Sequence, residues 1–121
     1  MGWFYMAVSK RGIFENPTKS PYNFEKYDSR LEERMMFRLE KDAEVAKWQK
    51  RHSITIDWID PNGKRRKYRP DFLVEYTDGR KEIIEVKGSE MMDSPSVKRK
   101  EASAQEWCRK RGMEYRIATI R

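Results

Sequence analysis

The stretch Tyr68-Arg69-Pro70-Asp71-Phe72-Leu73-Val74-Glu75-Tyr76, then Thr77-Asp78-Gly79-Arg80, then Lys81-Glu82-Ile83-Ile84-Glu85-Val86-Lys87-Gly88 decides the fold. Asp71–Tyr76 and Lys81–Lys87 are apolar, strand-like runs on either side of an Asp-Gly turn, so they predict an antiparallel hairpin. Two registers compete. A two-residue Asp78-Gly79 turn would set Glu75 opposite Glu82, a repulsive pair. A three-residue Thr77-Asp78-Gly79 loop sets Asp71 opposite Glu85, Leu73 opposite Ile83 and Glu75 opposite Lys81. This register replaces repulsion with attraction, and Gly79 suits the left-handed position that such a loop requires. Asp71 and Glu85 then face the same way. Side chains alternate along a strand, so Lys87 shares a face with Glu85 while Ile84 and Val86 share the other.

Outward from the hairpin, residues 53–59 alternate as a strand. Asp60-Pro61-Asn62-Gly63 signals a turn, and Lys64–Arg69 can form the return strand until Pro70 interrupts it. Residues 29–48 predict a helix, with Ser29 and Glu32 spaced as a capping box. Gly88–Ser94 reads as a loop. Pro95–Arg111 reads as a second helix, with Pro near its start and Gly112 just past its end. Met113–Ile120 predicts a final strand. The order α-β-β-β-β-α-β gives an α/β (α+β) class: a mixed sheet of about four to five strands flanked by helices, its last strand reached by a crossover. Residues 1–27 mix aromatics (Trp3, Phe4, Tyr5, Phe14, Tyr22, Phe24, Tyr27) with Asn16-Pro17 and Ser20-Pro21. They read as an irregular, extended aromatic N-terminal arm that packs on the body or on a partner. Residues 28–121 read as a single domain.

Composition narrows the chemistry. The 121-residue chain carries a net charge of +7, which favours a polyanionic partner such as nucleic acid. Its single cysteine, Cys108, excludes a disulfide framework within one chain and argues against a cysteine-based zinc site. A packed core thiol is the expectation. A lone His52 excludes folds that gather several histidines around a metal, and reads as a surface or capping group. The longest apolar run, Trp3 to Val8, is far too short to span a bilayer and lacks the basic lead of a signal peptide. Met6 stands where an N-myristoylation signal wants Ser or Thr. The expectation is an intracellular protein without a membrane partner.

Around the first helix, advancing from Leu31 places Met35, Met36, Leu39, Ala43 and Ala46 within an arc of about 140°. Glu32 falls inside that arc at about 100° and Glu33 outside it at about 200°. A carboxylate on an apolar face needs a partner. Either a metal site or the capping box with Ser29 supplies one, and the two roles are compatible. Basic residues crowd two places. Lys98, Arg99, Lys100, Arg109, Lys110 and Arg111 lie on the second helix and its end, and Lys64 to Lys67 with Arg69 precede Asp71. Favourable charge at a helix C-terminus accounts for Arg109 to Arg111 as well as DNA would. Arg69, Lys98 and Lys100, nearer the acids in sequence, are the candidate DNA contacts.

Pro70-Asp71, a spacer, then Glu85-Val86-Lys87 resembles the PD-(D/E)xK nuclease superfamily. The runs Ser29-Arg30-Leu31-Glu32, Tyr68 to Val74, Ile84 to Lys87, and Trp107-Cys108 with Gly112 and Tyr115-Arg116-Ile117 resemble the TnsA transposon-endonuclease catalytic domain over roughly residues 28–120. The resemblance implies a restriction-endonuclease-like fold, in a phage or mobile-element setting. It implies a metal-dependent endonuclease that nicks or cuts duplex DNA, with Glu32, Asp71, Glu85 and Lys87 as catalytic residues. The metal set would be Asp71, Glu85, Glu32 and Val86, holding Mg²⁺ with Mn²⁺ as a substitute. Two neighbouring carboxylates can hold such a hard ion, which stabilises charge on a scissile phosphate and acidifies a bound water. Lys87 would orient that water. Some TnsA members carry glutamine where Glu85 stands, and the 121 residues contain no C-terminal partner-binding domain, so a transposition role is not the expectation. A Holliday-junction or branched-DNA resolvase of the same superfamily, and a non-catalytic DNA-binding module, are the alternatives. One site cuts one strand, so a double-strand cut would need a homodimer or a partner protein.

Overall fold

The computed structural model describes residues 11–119. Trp3, Phe4 and Tyr5 of the N-terminal arm, and Ile120 of the last strand, lie outside the described residues. The elements run β1 (Gly12–Glu15), β2 (Phe24–Tyr27), α1 (Arg30–Lys41), β3 (Val45–Gln49), β4 (Ile56–Ile59), β5 (Arg65–Tyr68), β6 (Phe72–Tyr76), β7 (Lys81–Lys87), a 3₁₀ turn (Ser89–Met91), α2 (Pro95–Lys110) and β8 (Glu114–Thr119).

The central hairpin forms in the three-residue-loop register. Leu73 pairs with Ile83, Glu75 with Lys81 and Phe72 with Ile84. Gly79 takes φ +92°, the Gly79 N–H donates to the Tyr76 carbonyl at 3.0 Å, and the Tyr76 N–H donates to the Arg80 carbonyl at 2.9 Å. These strands sit at the centre of a four-stranded mixed sheet in the order β3-β6-β7-β8. The last strand runs parallel to β7 after the crossover through α2. Pro95 opens α2, and Gly112 at φ +67° lies past its end.

Two features correct the expected order. The helix predicted over 29–48 stops at Lys41, and Val45–Gln49 is an edge strand of the main sheet. Asp42 turns the chain: it is extended at ψ 114°, and its carboxylate accepts from the Glu44 N–H at 2.9 Å. Ala43 and Ala46, placed on the inward arc, are exposed. The cause of the misreading is a bulge in β3 between Val45 and Lys47. It lets Val45 and Trp48, three residues apart, both face the core. That spacing imitates a helix. The second correction concerns sheet count. β4 and β5 form their own two-stranded ribbon rather than joining the main sheet, and β1 and β2 form a second ribbon where an irregular arm was expected. Phe14 of that ribbon meets Phe37 and Trp48 edge to face, with centroids 4.9 and 5.9 Å apart.

Alternation along β6 and β7 divides the interior into two cores. Phe72, Val74, Ile84 and Val86 face α1 through Met35, Met36 and Leu39. Ile83 and Leu73 face Ile56, Trp58, Tyr68, Ala104 and Cys108 from the β4–β5 ribbon and α2. Both faces of β7 are therefore covered, and residues 82–86 are all buried. Cys108 is a buried free thiol, pushed up to about 11 by burial. Among the described residues no helix is long and apolar enough to cross a membrane.

Candidate active site

Asp71 lies one residue before β6, where the sheet ends and both helices come close. The observed register, continued by one residue, sets it against Glu85. Hydrogen bonds tie the pair together. The Asp71 N–H donates to Glu85 Oε1 at 3.2 Å, and the Val86 N–H donates to Asp71 Oδ2 at 2.8 Å. Glu85 Oε1 also accepts from the Tyr68 hydroxyl at 2.8 Å. Lys87 Nζ lies 3.4 Å from Glu85 Oε2. The structure thus brings Asp71, Glu85 and Lys87 together, and Val86 serves the group through its N–H.

Glu32 comes near from the first turn of α1. Its N–H donates to Ser29 Oγ at 3.2 Å, half of a capping box. Its carboxylate accepts from the Asp28 N–H at 2.9 Å rather than from Ser29. The side chain is only 12% exposed and pairs with Lys50 Nζ at 2.9 Å. Glu33 lies beside Tyr27 instead, whose pKa is raised by burial first and then by the Glu33 charge. Burial first, then the negative charges of Glu85 and Glu32, raise Asp71 to about 7 against the opposing pull of the Val86 N–H and Lys50.

Two participants, Lys50 and Glu25, carried no signal in the sequence. Lys50, half-buried, bridges Glu32 and Asp28 at 2.9 and 3.0 Å. Buried Glu25 accepts from the Lys50 and Arg51 N–H groups, both at 3.3 Å, and so sets that segment in place. Of the two expectations for His52, a surface group or a capping group, only the second fits the structure. The ring is buried, accepts from the Ile54 N–H through Nδ1 at 3.2 Å, and so donates through Nε2 to the Pro70 carbonyl at 2.7 Å. Burial lowers its pKa, which favours this neutral form. His52 anchors the peptide just before Asp71, and Arg69 donates to the His52 carbonyl. Tyr68 and Tyr115 meet at 3.0 Å beside Glu85. These contacts bridge segments far apart in the chain, which local patterns do not report.

A cleft of about 630 Å³ opens beside Glu85, lined by Tyr68, Arg69, Ser96, Lys100, Arg66 and Trp58 among others. Lys100 Nζ sits 5.1 Å from the Trp58 ring centre and 5.6 Å from that of Tyr68. Lys98 is exposed on the same helix. Arg109 and Lys110 pair instead with Glu106 of their own helix, at 2.7 and 3.9 Å.

The donor set fits a hard divalent ion only in part. Asp71 and Glu85 offer carboxylate oxygens from neighbouring strands, the ligand type such ions prefer. Burial and the neighbouring Glu85 and Glu32 charges hold the Asp71 pKa up, and a cation between the acids would offset them. Glu32 is occupied by Lys50, and among the described residues no group of three or more His, Cys, Asp or Glu forms a metal-holding cluster.

A mixed sheet with an acid pair and a lysine at one end is consistent with an endonuclease-like fold. The chain belongs to the TnsA-like endonuclease N-terminal family, which it matches over residues 42–120. That span contains Asp71, Glu85 and Lys87 and leaves Glu32 outside. Membership makes this a nuclease-family domain, and the family typically uses a divalent metal. No curated protein matches the chain.

Proposed function

We propose that this chain is a Mg²⁺-dependent endonuclease that hydrolyses phosphodiester bonds of DNA, with Mn²⁺ able to substitute. The convergence of Asp71, Glu85 and Lys87 at one end of the β6–β7 hairpin carries the reading. Asp71 and Glu85 hold the ion, with Glu32 as the third acid, and Val86 fixes Asp71 through its N–H. Held there, a divalent ion would supply charge neutralisation at the scissile phosphate and a more acidic water. Lys87, beside Glu85, would orient the attacking water and offset phosphate charge. Arg69 and Lys100 along the cleft, with Lys98 on the exposed face of α2, bind flanking phosphates without reading sequence. One acid pair cuts one strand, so a double-strand cut requires a second copy or a partner.

The test is nicking of supercoiled plasmid with Mg²⁺ or Mn²⁺, with EDTA as control. Asp71→Ala, Glu85→Ala and Lys87→Ala each lose cleavage while circular dichroism stays unchanged. Near-normal, EDTA-sensitive cleavage by a folded Asp71→Ala protein would end the proposal.

A further inference from the structure

Tyr68 stands among Ile56, Trp58 and Ile83, 5% exposed. A phenylalanine would fill that space as well, and a buried hydroxyl is costly unless bonded. Its bond is to Glu85 Oε1 at 2.8 Å. An ionised carboxylate only accepts, so the Tyr68 proton is committed to Glu85. The Tyr115 hydroxyl must then supply the proton in the 3.0 Å contact with Tyr68. The chain of donation runs Tyr115 to Tyr68 to Glu85, from β8 through the β4–β5 ribbon to β7. With the Asp71 N–H also on Oε1, that oxygen is saturated, and Oε2 is left on the side of Lys87.

We propose that the Tyr115–Tyr68 pair is a positioning device for Glu85: it locks Oε1 inward so that Oε2 is the oxygen presented to a divalent ion. The inference rests on the metal-binding reading above and adds two residues to it. Tyr68 and Tyr115 are positioning residues, since both act through Glu85. Partners of this kind behind a metal ligand typically matter about 10- to 100-fold in metal affinity.

The measurement is Mn²⁺ binding by the full chain without DNA, read from the free-ion signal in electron paramagnetic resonance. Tyr68→Phe weakens binding about tenfold, and Tyr115→Phe weakens it by a smaller factor. Ile56→Val, which disturbs the same apolar cluster from a position that does not line the cleft, leaves the constant unchanged. An unchanged constant in folded Tyr68→Phe overturns the proposal while leaving the metal reading intact. So does equal weakening by Ile56→Val, which would make the effect one of packing. If Tyr68→Phe does not fold, Tyr115→Phe decides: weaker binding supports the device and a wild-type constant overturns it. A wild-type chain that binds no Mn²⁺ overturns the metal reading itself, and this proposal with it.

Discussion

Asp71 carries its charge against the preference of its surroundings. Burial and the Glu85 and Glu32 carboxylates hold its pKa at about 7, whereas an unfolded aspartate titrates near about 4. Between these values the native chain keeps a proton that the unfolded chain has released. Stability therefore falls as pH rises from about 4 to about 7 and stays lower above that. Asp71→Asn abolishes this loss and still accepts from the Val86 N–H. Thermal melts without divalent ions should show Asp71→Asn more stable than the parent at pH 8 and nearly equal to it at pH 4. Mn²⁺ should narrow the gap at pH 8 by stabilising only the parent. A variant less stable than the parent at pH 8 contradicts the assignment. Of the residues involved, Asp71, Glu85 and Lys87 were legible because strand alternation and the turn place them together. Lys50 and Tyr115 were not, because each meets the site through a contact between distant segments.

Among the elements, the β6–β7 hairpin is the one whose register could be derived in advance, since its loop and its Glu75–Lys81 pairing are local. Its loop depends on Gly79 at φ +92°, where an added Cβ would meet nothing within 4 Å. Gly79→Ala therefore isolates backbone strain, with no packing change. Urea unfolding should show a loss of about 1 kcal/mol, and Gly79→Asn should lose less, because asparagine tolerates this conformation. A Gly79→Ala protein as stable as the parent would mean the loop rearranges. The strand β3 shows the opposite case. Its bulge puts Val45 and Trp48 on one side, and an alternation rule that assumes an unbroken ladder reads this as a helix. The capping residue Ser29 was legible and the end of α1 was not, because Asp42 ends it without a glycine or proline.

On the scale of the whole molecule, the two faces of the sheet hold different halves of the site. Glu32 arrives from the α1 side, while Tyr68 arrives from the other side on a ribbon whose backbone ladder is closed within itself. That ribbon, β4–β5, is joined to the sheet by packing on α2 and by side-chain bonds such as Tyr68 to Glu85. Segments with fewer cross-links open at lower free energy than the sheet they rest on. In native-state hydrogen exchange, amides of Ile56–Ile59 and Arg65–Tyr68 should exchange faster than those of Leu73–Tyr76 and Ile83–Val86. Equal protection of both sets would refute this. Each opening of the ribbon carries the Tyr68 hydroxyl away from Glu85, so the carboxylate stays oriented only as long as the ribbon stays closed. The lifetime of the arranged site is then set by the ribbon's opening rate, a clock located outside the strands that carry the acids.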